Sequence, residues 1–331
     1  MRTACVFWFK IFNTHLHSKE ECSLMIRQAS NKKITIGMCV RNSGKTIQEA
    51  VDSIVIQNYP HELIDVIVVD GCSEDDTLFL VKNTALKSDI TFRFFSDKGK
   101  GLGVARQIVV DNTKSEYIIW IDGDMQIEKE FIKKQVSYME NNPKVGVALG
   151  RPDYSEGTLV ATLRSLLIYT RYFKLVSQKA QGKSGDMLAS TNGAIHRVEA
   201  IKKIGGFDIN IKGASEDADL IIRLQKNGWL RSLIPEAKFF HEYRENWTDL
   251  WREQYWFGYG GHFMSHKFIG HTKLWKKIPF FAILDGLGLS KRAFKLIHKK
   301  KSFLLPFLVF FQKIAFWSGF LESHINGYGH N

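Results

Sequence analysis

From residue 33 onward the chain alternates short, β-branched apolar runs with polar-and-apolar segments of helix length. Strand-like runs cover residues 34–40, 63–70, 90–95, 116–121, 145–149 and 229–234. Between them, residues 46–57, 75–87, 103–112, 128–141, 158–177 and 217–227 have helix length; Pro143 stops the fourth of these segments and Gly228 the last. Residues 182–185 form a flexible loop by composition, and no internal repeat is present. Such alternation predicts an α/β fold, an open and mostly parallel sheet flanked by helices on both faces. Ligands of these sheets bind outside the carboxyl ends of the strands. The first, second and fourth strands end in Arg41-Asn42, Asp70 and Asp122-Gly123-Asp124, which predicts that these polar ends face one crevice.

The acidic triplet carries the sharpest chemistry. It follows the buried-type run Tyr117-Ile118-Ile119-Trp120-Ile121, and a second acidic pair, Glu216-Asp217, comes about ninety residues later. A hard cation such as Mg²⁺ or Mn²⁺ takes oxygen ligands and bridges one or two carboxylates to substrate phosphates, an arrangement suited to a nucleotide diphosphate. The competing reading is an ordinary acidic turn, for which Asp-Gly is a common choice. A second motif, Gly44-Lys45-Thr46, stands between a strand and a helix where a phosphate loop belongs. Position 39, five before Gly44, holds Cys39 rather than the required glycine, so the motif is not a Walker A loop and Thr46 is expected to cap the helix.

Beyond residue 246 the pattern changes. From Trp247 to the end, twelve Lys and Arg face four acids, contributing +8 of the chain's net +12, and 20 of its 42 aromatic residues lie there. Basic residues interleaved with aromatic ones fit a single-stranded nucleic acid or an anionic membrane. The run Phe303-Leu304-Leu305-Pro306-Phe307-Leu308-Val309-Phe310-Phe311 after Lys299-Lys300-Lys301 favours the membrane, since base stacking requires no such run. It is shorter than the roughly 20 apolar residues of a spanning helix. The expectation is an interfacial or re-entrant segment; the alternative is a helix packed on the protein's own core.

With 331 residues, 44% of them hydrophobic and 24% charged, the chain is folded and large enough for a sizeable core. Its four cysteines have neither disulfide-framework nor CxxC zinc spacing, and a reducing compartment is the default. Residues 1–30 carry no catalytic signal and no signal-peptide cleavage pattern, and Met25 is an alternative start. The expected organisation is an extension over 1–30, a catalytic domain over 31–245 and a helical, basic, aromatic-rich region over 246–331.

Five segments in order resemble the family 2 glycosyltransferases, inverting enzymes of the GT-A nucleotide-diphospho-sugar transferase fold. They are Thr35-Ile36-Gly37-Met38-Cys39-Val40-Arg41-Asn42, the stretch from Asp65 through Val69-Asp70-Gly71 to Thr77, Lys100-Gly101-Leu102-Gly103-Val104-Ala105-Arg106-Gln107, Trp120 to Asp124, and Gly205-Gly206-Phe207-Asp208 with Glu216-Asp217-Ala218-Asp219-Leu220. The resemblance spans about residues 33–245. The family's usual Pro is Cys39, its usual Tyr is Arg41, and a frequent second Asp is Gly71.

The resemblance implies Mg²⁺ or Mn²⁺ held by Asp124, with Asp122 on metal or ribose, and His241 as a third ligand. It implies base recognition by Asp70 beside Val40, and a UDP- or GDP-sugar as donor. Arg41, Lys100 and Arg106 are candidates for base, ribose or phosphate contacts. Asp217 is the expected catalytic base: a neighbouring carboxylate and a closing site raise its pKa, while the helix N-terminus opposes the rise. Glu216 either caps that helix or orients the base. Gln254-Tyr255-Trp256-Phe257-Gly258 lacks the Arg-Trp of processive members, so single additions are expected. The tail implies a lipid-linked acceptor at the cytoplasmic face of a membrane, with no nucleic acid as partner. Two other classes compete, a sugar-phosphate nucleotidylyltransferase and a noncatalytic basic protein that binds membrane or nucleic acid.

Overall fold

The computed structural model describes residues 32–181, 190–268 and 279–327. The extension over 1–30, Met25 and the loop over 182–185 lie outside the described residues. In chain order the elements are β1 (Ile34–Val40), α1 (Ile47–Val55), β2 (Ile64–Asp70), α2 (Thr77–Ala85), β3 (Thr91–Ser96), α3 (Leu102–Asn112), β4 (Tyr117–Trp120) and β5 (Met125–Ile127). They continue with α4 (Phe131–Glu140), β6 (Val145–Pro152), α5 (Leu159–Ala180), β7 (Ala194–Arg197), α6 (Val198–Lys203), α7 (Glu216–Lys226) and β8 (Leu230–His241). Three long helices close the chain: α8 (Trp247–Lys267), α9 (Pro279–Ile297) and α10 (Leu305–Ile325).

Eight strands form one sheet in the order β3-β2-β1-β4-β7-β6-β8-β5. The β3-β2-β1-β4 half is parallel, as the strand–helix alternation predicts. The other half is mixed, because β7 runs antiparallel to both β4 and β6 and β5 antiparallel to β8. Alternate residues feed opposite faces, as strand geometry requires. Tyr117, Ile119 and Ile121 join Ile36, Met38, α1 and α4 in one core, whereas Ile118 and Trp120 join α3, α6 and α7 in the other. Each fully buried aliphatic side chain contributes about 1.5–3 kcal/mol. Gly37 makes room for this arrangement, since a Cβ there would stand 2.7 Å from the Trp120 ring.

Two features depart from the sequence reading. β8 runs to His241 although Pro235 argues against a strand beyond residue 234. A register shift opposite Gly150 and Arg151 moves the pairing from Ile234 to Lys238 and absorbs the proline. β5, β7 and α6 are too short for periodicity to reveal.

The C-terminal helices build a third core with α5, from Leu163, Leu166, Leu250, Ala293, Leu305, Leu308 and Val309 among others. The apolar run at 303–311 thus splits its faces: Leu305, Leu308 and Val309 are buried, while Phe303, Leu304 and Phe307 are exposed. By length and composition Lys300–Ile325 could cross a membrane. Packing is continuous across residue 246, for α8 runs against the loop before α7 and its Lys267 Nζ reaches Asp208 at 2.5 Å and Asp219 at 2.6 Å.

Candidate active site

β4 delivers Asp122-Gly123-Asp124 to the open end of the sheet, and Gly123 is packed so closely that an added Cβ would meet Ser43 Cβ at 2.9 Å. Thr46 occupies the N-cap position of α1, but its hydroxyl does not cap the helix as expected. It donates instead to the Gly123 carbonyl at 2.7 Å, tying the acidic turn to the start of α1.

The antiparallel β5–β8 pairing sets Met125 opposite His241 and so brings the imidazole to the acidic turn. His241 Nε2 lies 3.3 Å from Asp124 Oδ1 and 3.0 Å from Asn192 Nδ2. Ligand atoms of Asp122, Asp124 and His241 all fall within 4.8 Å of one another. Asp124 Oδ1 and His241 Nδ1 are buried and, among the described residues, have no hydrogen-bond partner. A carboxylate oxygen so orphaned, beside a second carboxylate and an imidazole, fits a divalent cation that accepts oxygen and nitrogen donors. Burial pushes the Asp122 carboxyl up, Arg106 opposes the rise and Asp124 adds to it.

These groups line a cavity of about 900 Å³ together with Arg106, Glu216 and Asp217. Asp217 sits in the first turn of α7, behind Ser215, which is held at φ +112°. Burial and then the Glu216 charge drive its carboxyl from an ordinary 3.8 up to about 7, against the pull of Arg106. Glu216 is not the cap of α7 but its first residue, and it forms a buried ion pair with Arg106. The Arg106 guanidinium is 4% exposed and committed to Glu216, so it acts on the cavity through that pair rather than as an open anion fork.

The remaining expected residues do not line this cavity. Val40 and Arg41 line a smaller cavity of about 180 Å³, with Gly71, Asp97, Gly99 and Gly101. Asp70 is buried, and both its carboxylate oxygens accept from Ser73 N at 3.2 Å. Lys100 is exposed and lines neither cavity. Sequence reading passed over Asp97, whose carboxylate accepts from Gly99 N at 2.8 Å and Gly101 N at 3.0 Å and shapes the loop beside Arg41. Its signal is the Asp-x-Gly-x-Gly spacing, a side chain bonding its own turn. Asn192 was missed as well; only the Asn-Gly pair marks it.

A parallel sheet half, an acidic turn at the end of its fourth strand and an acid-bearing helix facing that turn define the GT-A class of fold. The mannosyltransferase PcManGT from Pyrobaculum calidifontis, solved with GDP-Man and Mn²⁺, is similar over 89% of this chain and 88% of its own, with a TM-score of 0.63 and 14% identity. TarS residues 1–349 from S. aureus, solved with UDP-GlcNAc, cover 89% of this chain and 92% of their own, with a TM-score of 0.50 and 17% identity. The chain belongs to glycosyl transferase family 2, whose profile matches residues 35–205. Among curated relatives, the probable glycosyltransferase YdaM of Bacillus subtilis (strain 168) is 25% identical over 242 residues, 72% of this chain. The match spans 57% of YdaM, and that to the poly(ribitol-phosphate) beta-N-acetylglucosaminyltransferase TarS of Staphylococcus aureus only 19% of TarS.

Proposed function

We propose that the protein is an inverting hexosyltransferase. It moves a sugar from a UDP- or GDP-sugar to a hydroxyl or phosphate acceptor carried on a lipid, at the cytoplasmic face of a membrane. The observation that carries this reading is the convergence of Asp122, Asp124 and His241 on a cavity that Asp217 also lines. Those three residues would hold Mg²⁺ or Mn²⁺, which would supply a Lewis acid for the charge developing on the leaving diphosphate. Asp217 takes the acceptor's proton, the acceptor oxygen bonds to the anomeric carbon from the opposite face, and the diphosphate leaves with the bonding pair of the broken C–O bond. A carboxyl whose pKa is raised to about 7 suits that role, because a base is most effective when its pKa lies near the working pH. The donor class agrees with the GDP-Man and UDP-GlcNAc bound by the two structural neighbours. The lipid acceptor follows from the exposed Phe303, Phe307 and Leu284 beside the basic residues of α9 and the turn before α10.

Thermal unfolding of the full chain with a panel of UDP-, GDP- and dTDP-sugars, with and without Mn²⁺, tests the reading. Stabilisation that requires both metal and one nucleotide class, and that disappears in Asp124→Asn, is expected. An Asp124→Asn protein that responds like the wild type refutes it. Release of nucleoside diphosphate, rather than pyrophosphate, separates a transferase from a nucleotidylyltransferase.

A further inference from the structure

On the far side of α8 from its N-terminus lies a second set of metal-type donors that the transfer chemistry does not use. His262 and His266 are one turn apart on α8, and His324 stands in the last turn of α10. His262 Nε2 lies 3.0 Å from His266 Nε2 and 3.2 Å from His324 Nδ1, and the three donor atoms all fall within 4.8 Å of one another. An imidazole nitrogen carries either one hydrogen or one in-plane lone pair. One hydrogen or one lone pair on His262 Nε2 serves two facing ring nitrogens poorly, whereas a cation accepts a lone pair from each. For tetrahedral Zn²⁺ with Zn–N near 2.0–2.1 Å, ligand nitrogens stand about 3.3 Å apart, close to the two short separations here.

The surroundings of the cluster match such a site. His262 is buried, and its Nδ1 lies 3.0 Å from Ser323 Oγ, itself buried. In the tautomer that donates Nδ1–H to that hydroxyl, Nε2 presents its lone pair to the cluster; an outer partner of this kind is what fixes metal-binding histidines. The helices are held in place by glycines one turn away. A Cβ on Gly258 would reach the Phe316 carbonyl oxygen at 1.8 Å, and one on Gly319 the Tyr255 carbonyl oxygen at 2.0 Å, so the two backbones cross in direct contact. His266 and His324 are exposed.

We propose that His262, His266 and His324 form a Zn²⁺-class site that clamps α10 onto α8. The three donors are neutral nitrogens with no carboxylate among them, which selects zinc, or its neighbours cobalt, nickel and copper, over the Mg²⁺ or Mn²⁺ suited to the acidic turn. Occupancy fixes Phe316 of α10 relative to Trp256 and Phe257 of α8, all three of which line the large cavity. The metal therefore sets the shape of one cavity wall without entering the transfer reaction. The spacing His-x-x-x-His, two imidazoles on one helix face, is the sequence trace of such a pair.

The test is a Co²⁺ titration of the full-length, tag-free protein after stripping with a chelator. One equivalent of Co²⁺ is expected to produce the visible absorption of a tetrahedral, nitrogen-rich site, and Zn²⁺ is expected to displace it. The His266→Ala/His324→Ala protein, altered only at exposed positions, should lose that spectrum. Ser323→Ala should weaken binding about 10- to 100-fold, as loss of an outer-shell partner does. Asp124→Asn should leave the spectrum unchanged, which separates this site from the acidic turn. The proposal is overturned if the stripped wild type shows no such spectrum at one equivalent, or if the doubly substituted protein keeps it.

Discussion

Replacing Asp217 by Asn isolates the proposed base and has opposite effects on stability and activity. In the native protein the carboxyl rises from 3.8 to about 7, so between those pH values the folded state holds a proton that the unfolded chain has released. Stability then falls as pH rises, by 1.36 kcal/mol per pH unit, and levels off above about 7 once both states are ionised. The full interval corresponds to about 4 kcal/mol. Asp217 lines an open cavity where water screens part of the penalty, so about 2–4 kcal/mol is the working figure. Asparagine keeps the shape and cannot ionise. Asp217→Asn is therefore expected to match the wild type near pH 4 and to exceed it at pH 8, by roughly 3–6 °C in Tm for a chain of this size. Transfer should fall about 10²- to 10⁴-fold, the usual worth of a general base, and the wild-type rate should rise with pH through an apparent pKa near 7. Thermal scans from pH 4 to 8 on both proteins, together with a nucleotide-release assay, decide the matter. If the two melting profiles stay parallel across that range, or if the variant keeps its rate, the assignment of Asp217 as a raised-pKa base is wrong.

Arg106→Met strands Glu216 as an unpaired buried charge and should cost about 3–5 kcal/mol in denaturant unfolding. Adding Glu216→Leu should restore most of the loss, as expected for a pair whose desolvation offsets its attraction. Arg106 also lowers the Asp217 pKa, so in the Arg106→Met single variant, which keeps the Glu216 charge, the acidic limb of the rate profile should move to higher pH. On the tail, Phe303→Ser/Phe307→Ser removes two exposed rings without touching Leu305 or Leu308 in the core. Co-sedimentation with anionic vesicles should drop severalfold at unchanged Tm, and equal sedimentation would count against a membrane-facing role for this surface.

What could be read from the chain beforehand follows the range over which each signal acts. The parallel half of the sheet and the acidic turn at its edge were legible because each is local: one apolar run, one turn, one helix. Asp122, Asp124 and His241 lie close together, although β5, the strand that aligns His241, is three residues long and leaves no periodic trace. The Arg106–Glu216 pair was not legible, since 110 positions separate its members and either charge alone is indistinguishable from a solvated one. The histidine cluster is hidden for the same reason, with 58 positions between His266 and His324. The strand expected over 229–234 continues to His241 because a bulge can absorb Pro235, which propensity forbids in a regular strand.

The C-terminal helices also bear on the position of Asp217. A Cβ on Gly260 would stand 1.6 Å from the Ala214 carbonyl oxygen, and one on Gly213, held at φ +85°, would stand 3.1 Å from the Trp256 carbonyl oxygen. Thus α8 lies with its backbone against residues 213–214, directly before the strained Ser215 and the Glu216-Asp217 pair. Lys267 closes the other end by bridging Asp208 to the buried Asp219, one turn along α7 from the first acid. A force that tilts α8 must therefore move the loop that aims Asp217, because backbone packed on backbone has no side-chain slack to absorb the shift. The aromatic tail is thus coupled to the loop before Asp217 by backbone contact, by way of glycines in α8 that no larger residue can replace at those separations.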